Sequence, residues 1–174
     1  IMFLNKIKNF FLFSFLILFL SIKANSQEKK IQGLAIITDG DTIKISNQKI
    51  RLFGIDAPEM KQKCKKPFIS ISFLTLNKEY DCGVVSTNKL KKKIFNKEIS
   101  CVVTNKDRYG RFIGECFYKN MNINSWMVEN GYALAYLKYS KKFQNQELNA
   151  KKNKLGIWQG PFEKPWDWRK KNRN

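Results

Sequence analysis

The chain has 174 residues, with 33 Lys or Arg against 14 Asp or Glu, a formal charge of +19 and no histidine. That length fits one domain with a core large enough to be stable alone. The missing histidine excludes imidazole acid–base chemistry and, with no Cys-x-x-Cys spacing, argues against a zinc site; the basic excess points to a polyanion such as nucleic acid, or to an anionic surface.

In chain order, Lys6 and Lys8 precede an apolar run from Phe10 to Leu20, followed by Ala24-Asn25-Ser26. This is the pattern of a secretory signal over residues 1–26, cleaved after Ala24 or Ser26. The apolar run is short for a bilayer span, which disfavours an uncleaved anchor. Because the chain begins with Ile1, translation is expected to start at Met2 or upstream. Cleavage removes Lys6, Lys8 and Lys23 and no acid, leaving +16. The expected location is outside the cytoplasm, periplasmic or secreted.

Residues 27–160 form the expected domain. Ile31–Thr38, Thr42–Ile45 and Lys49–Ile55 read as strands rich in β-branched residues. A two-residue turn at Asn47-Gln48 would place Asp41 opposite Gly54 and Asp39 opposite Asp56, bringing Asp41 and Asp56 to one hairpin end. Glu59 to Tyr80 contains Pro67 and lacks a clean period, so it reads as a long loop with some helix. Val84 to Phe95 carries Leu90 and Ile94 at helical spacing. Glu98–Asn105 and Phe112–Tyr118 are strands around a turn at Arg108-Tyr109-Gly110, a register that faces Cys101 with Cys116. Asn122 can cap a helix from Ile123 to Asn130, ended by Gly131. Ser140 to Lys154 reads as the last helix, closed by Gly156. The tail 161–174 is rich in Trp, Lys and Arg and is expected on the surface. Five strands with a helix between the third and fourth, and helices after, are the order of an α+β oligonucleotide-binding (OB) β-barrel with about three helices.

Asp41, Asp56 and Glu59 are candidates for holding a hard cation, which takes oxygen ligands in an adaptable shell. Alone, Asp39-Gly40-Asp41 reads first as a turn. Only five arginines occur among the 33 basic residues, Arg51, Arg108, Arg111, Arg169 and Arg173. In a chain that otherwise uses lysine, each hints at a need for a bidentate fork. Arg51 lies among Ile50, Leu52, Phe53 and Ile55, so its charge needs a partner or a task. Cys64, Cys82, Cys101 and Cys116 allow three pairings, and an exported chain favours disulfides.

Asp39-Gly40-Asp41-Thr42, Arg51 ahead of Asp56-Ala57-Pro58-Glu59, and Asp107-Arg108-Tyr109-Gly110-Arg111 together resemble the staphylococcal (micrococcal) nuclease, or thermonuclease, family. The resemblance runs from about Gly33 to Trp158 and takes in Ile123-Asn124, Gly131 and Leu155-Gly156-Ile157-Trp158. It implies an OB barrel with three helices and a calcium-dependent phosphodiesterase acting on DNA and RNA. Asp41 and Asp56 would be the calcium carboxylates, and Ala57 would add a backbone carbonyl. Glu59 would orient or deprotonate the attacking water, and Arg51 and Arg111 would grip the phosphate. Tyr109 would meet a terminal phosphate, while Tyr136 and Tyr139 would contact bases. Products would carry 3′-phosphates. The pairing 64–82 and 101–116 resembles that of exported bacterial relatives. The substrates would be flexible or single-stranded DNA and RNA, the chain a monomer with no obligate protein partner. The competing readings are a non-catalytic OB module that only binds nucleic acid, and a basic protein of the envelope surface.

Overall fold

A computed structural model of the chain describes residues 29–173. The expected signal segment 1–26 lies outside them. The strands are β1 (Lys29–Asp39), β2 (Thr42–Ile45), β3 (Gln48–Leu52), β4 (Ile55–Asp56), β5 (Cys64–Ile71), β6 (Leu74–Tyr80), β7 (Glu98–Lys106), β8 (Phe112–Tyr118), β9 (Met121–Asn122) and β10 (Leu134–Ala135). The helices are α1 (Cys82–Ile94), α2 (Ile123–Glu129), α3 (Gln144–Lys152) and α4 (Pro165–Lys171), with a 3₁₀ turn at Gly156–Gln159.

Alternation builds the barrel. Ile43 and Ile45, Ile50 and Leu52, and Ile99, Cys101 and Val103 are buried at every second position of their strands, so one face of each strand turns inward. The sheet order β3-β2-β1-β7-β8-β9 is closed by a parallel pairing of β3 with β8. The result is the expected five-stranded OB barrel, of β1, β2, β3, β7 and β8. Leu90 and Ile94 of α1 and Ile123, Met127 and Val128 of α2 complete its core.

Three expectations need correction. The β2–β3 turn lies at Ser46-Asn47, one residue earlier, because these two residues take positive φ of 46° and 68°, the left-handed pair of a tight hairpin that Asn tolerates well. The register therefore pairs Thr42 with Arg51 and Ile45 with Gln48. Asp41 does not face Gly54; its carbonyl accepts from the Leu52 N–H at 2.8 Å. The expected loop at 59–80 is largely the β5–β6 hairpin, with Ile69 opposite Leu76 and Ile71 opposite Leu74. Pro67 is accommodated in this two-stranded sheet opposite Asn77, where no third strand needs its missing N–H. The tail is not a plain surface stretch, since α4 starts at Pro165, an N-terminal position that suits proline.

Both disulfides pair as the resemblance implied. Cys64–Cys82 has a Cα–Cα distance of 5.5 Å, and Cys101–Cys116, directly opposed on β7 and β8, 4.0 Å. The Asn122 side chain caps α2 by accepting from the Ser125 N–H at 3.0 Å, as expected. The first bridge sits in a second small core with Leu134 and Ile157, packed against Tyr80, Trp158, Phe162 and Trp166. That core fastens the hairpin base and the tail to the barrel.

Candidate active site

Arg51 stands at the mouth of the barrel because β3 is pinned on both sides, to Thr42 of β2 and to Ile113 of β8. Its guanidinium bridges the two aspartates. Nη1 pairs with Asp41 Oδ1, and Nη2 donates to Asp56 Oδ1 at 2.6 Å. Asp41 is 3% exposed and Asp56 is not exposed at all. The aspartates therefore share one site as expected, but through Arg51 rather than through the expected strand register.

Asp41 is held ready as an anion. Burial opposes its charge, yet Arg51, the Ala57 N–H (2.9 Å) and the Thr42 hydroxyl (3.1 Å) outweigh that and keep its carboxyl below the ordinary range. Burial pushes the Asp56 carboxyl up, against Arg169 and Arg51. Asp39 accepts from the Asp41 N–H at 3.1 Å. Its own carboxyl is pushed up to about 6, by burial first and the Asp41 charge second. It shapes the turn, as its Asx spacing implies.

Arg111 is presented by a turn built around Asp107. One Asp107 oxygen accepts from the N–H groups of Tyr109 (2.9 Å) and Arg111 (3.0 Å), and the other accepts from Arg111 Nε at 2.7 Å. Arg111 Nη1 then reaches the Thr42 hydroxyl at 3.3 Å. A hydrogen-bonded chain thus runs Arg111–Thr42–Asp41–Arg51, holding two guanidiniums beside one opening. Tyr109 stands over it, 67% exposed, and its hydroxyl accepts from Arg108 at 2.8 Å.

Glu59 is placed by backbone packing. The start of α1 passes so close that a Cβ on Gly83 would collide with the Glu59 carbonyl. The Glu59 N–H donates to Gln62 Oε1 at 3.2 Å, and Gln62 in turn donates to the Glu163 carbonyl at 2.6 Å, tying the loop to the tail. Tyr136 and Tyr139 pack edge to face at 4.9 Å, and Tyr136 stacks on Trp166 at 5.3 Å. Tyr139 is 69% exposed and offers a free face; Tyr136 is half-buried. Arg51, Glu59, Arg111, Tyr109, Tyr136 and Tyr139 all line one cleft of about 910 Å³.

Two contributors escaped the sequence reading. Arg169 of α4 clasps the acids: Nη2 donates to Asp56 Oδ2 at 2.6 Å, and Nη1 to Asp56 Oδ1 at 3.1 Å and Glu59 Oε1 at 2.6 Å. Asp56 is buried beneath Arg51 and Arg169. The scarcity of arginine was the one available signal. Asn124 was noted only as part of a helix start. It is buried. Its amide donates to the carbonyls of Phe53 (2.9 Å) and Gly114 (3.2 Å), and its oxygen accepts from the Cys116 N–H at 3.1 Å. It locks the turn that leads into β4 and Asp56.

The family model described as staphylococcal nuclease homologue matches residues 49–160. An uncharacterized endonuclease of Haemophilus influenzae is 32% identical over 170 residues, covering 92% of this chain and 84% of that protein. The probable staphylococcal-like nuclease CAN3 of Oryza sativa subsp. japonica is 34% identical over 146 residues, covering 82% of this chain and 34% of its own length. The succinoglycan biosynthesis protein ExoI of Rhizobium meliloti is 33% identical over 136 residues, 76% of this chain and 67% of that protein. The chain spans about a third of the length of the two rice relatives it matches. Family model, barrel and site motifs agree: the chain belongs to the staphylococcal nuclease family.

Proposed function

We propose that the chain is an exported, calcium-dependent nuclease that hydrolyses phosphodiester bonds of DNA and RNA with little sequence preference and leaves 3′-phosphate ends. One observation carries this reading: two arginines, each fixed by a carboxylate, line a single cleft together with Glu59. A module that only binds nucleic acid has no use for acids beside the phosphate.

The donor set fits a hard cation. Asp41 and Asp56 offer oxygen only, and the chain has no histidine to favour a softer metal. Among the described residues no group of three acidic, histidine or cysteine side chains is placed to hold a metal ion, so side chains alone would not complete the shell. Two carboxylates, the Ala57 carbonyl and waters suit the adaptable shell of calcium. When bound, the cation supplies charge neutralisation at the phosphate and an anchor for water.

The chain's own groups do the rest. Arg51 and Arg111 hold the phosphoryl oxygens and oppose the charge that builds there, a fixed electrostatic effect. Glu59 aligns a water for attack on phosphorus and takes its proton. The new P–O bond forms as the P–O5′ bond breaks, and the 5′-oxygen leaves with a proton from water. Arginine is not the proton donor, because its pKa lies above about 12. Tyr109 meets a terminal phosphate. Tyr136 and Tyr139 offer faces to bases, a contact that tolerates any sequence. The two disulfides support export, since such bonds persist in oxidising compartments.

The test is digestion of denatured DNA by the oxidised protein, with calcium or a chelator, beside Glu59→Gln. Calcium-dependent cleavage that falls about 10²–10⁴-fold in Glu59→Gln, the usual contribution of a positioned general base, is expected. Cleavage indifferent to calcium and to the substitution rejects the mechanism.

A further inference from the structure

The β5–β6 hairpin extends from the disulfide at its base and, among the described residues, packs on nothing along its outer length. Its residues from Lys65 to Glu79 are all exposed. The pairing of Ile69 with Leu76 and of Ile71 with Leu74 puts four aliphatic side chains on one face. The opposite face carries Ser70 and Thr75, whose hydroxyls lie 3.3 Å apart. The turn at Ser72-Phe73 carries Phe73 at its tip, 98% exposed. Contiguous exposed apolar surface of this kind marks a docking site.

Charge is graded along the same axis. Pro67 to Asn77, eleven residues, carry none. The base carries Lys61, Lys63, Lys65, Lys66 and Lys78 against Glu79 and Asp81. Lys78 Nζ lies 5.6 Å over the Phe68 ring and Lys66 Nζ 5.3 Å over the Tyr80 ring, stems along apolar rings with cationic heads at the collar.

We propose that this hairpin is an arm that docks the protein on an anionic lipid surface, its tip among the acyl chains and its lysine collar at the headgroups. The gradient from uncharged tip to basic collar matches the gradient from hydrocarbon to anionic headgroup. Among the described residues, both outer edges of the two-stranded ribbon are unpaired beyond the Lys65 N–H bond to the Pro161 carbonyl. Open edges cannot enter dry hydrocarbon. The arm therefore stops at interfacial depth, about 5–10 Å, which the tip supplies at about 3.3 Å per residue. A second copy is a poor occupant because both partners would carry the same basic collar. Nucleic acid is a poor occupant because the outer arm, Pro67 to Asn77, carries no cation to hold a phosphate backbone.

The test compares the full-length chain, as processed by the producing cell, with Ile71→Ser/Phe73→Ser/Leu74→Ser. Both share the same N-terminal segment, so its contribution cancels. Co-sedimentation with vesicles of phosphatidylcholine containing phosphatidylglycerol is expected to weaken at least tenfold in the triple variant, with the melting temperature and DNA digestion rate unchanged. In Phe73→Trp, the added fluorescence should shift to the blue on these vesicles and be quenched by brominated acyl chains. It should do neither on pure phosphatidylcholine. Equal vesicle binding by wild type and triple variant, or an added tryptophan that stays in water, overturns the proposal. So does a triple variant that loses single-stranded DNA or a self-associated state while keeping its lipid affinity.

Discussion

Arg169 is the residue whose role was least expected. Its guanidinium lies against Asp56 and Glu59, so it supplies positive charge that the buried Asp56 demands. A cation that uses Asp56 must take over that place. Arg169→Gln is therefore expected to melt lower without calcium, because Asp56 loses a charged partner. It should bind calcium about tenfold more tightly in titration calorimetry, equivalent to about 1.4 kcal/mol, and its melting temperature should rise more on adding calcium than that of the wild type. Unchanged calcium affinity would show that Arg169 is only a structural clasp. Arg51 has the opposite standing: flanked by β2 and β8 and bound to both aspartates, it is built into the barrel.

At the scale of elements, two hairpins do different work. The β7–β8 hairpin is stitched across its strands by Cys101–Cys116, fifteen residues apart. In the chain-entropy account that closure contributes about 3 kcal/mol. Cys101→Ala/Cys116→Ala should lower stability by about that amount in non-reducing urea unfolding. The turn of the same hairpin depends on Asp107. Burial opposes its charge, but Arg111 and the N–H groups of Arg111 and Tyr109 hold its carboxyl below its ordinary 3.8. A lowered acid binds protons more weakly in the fold than unfolded. Its stabilisation is thus present above 3.8 and is lost as the pH falls through the lower folded value. Urea midpoints of Asp107→Asn should lie below wild type near neutrality and converge on it in acid. The β5–β6 hairpin, by contrast, has an apolar face that no described residue covers.

For the whole molecule, the order of strands and helices suggested the barrel, and the resemblance carried by the ordered motifs grouped Asp41, Arg51, Asp56, Glu59 and Arg111. What the sequence holds by itself is short-range order: alternation along each strand, and motifs whose residue types and order survive in the linear chain. The turn end pairs Lys106 with Phe112, and a bulge between Val103 and Asn105 shifts the register by one, which brings Cys101 opposite Cys116 as expected. The β2–β3 register slipped because a one-residue choice between Ser46-Asn47 and Asn47-Gln48 depends on which pair takes positive φ. The β5–β6 hairpin was hidden by Pro67, which is tolerated at an open edge and reads as a breaker in sequence. Only the tertiary structure decided Arg169, which meets Asp56 across 113 positions. It arrives through the packing of Trp166 on Tyr136 and of Phe162 on Trp158, beyond the end of the family match at residue 160. Local pattern can state which side chains share a strand end, but a contact closed by a distant tail depends on how separate elements pack, and no period or motif encodes that.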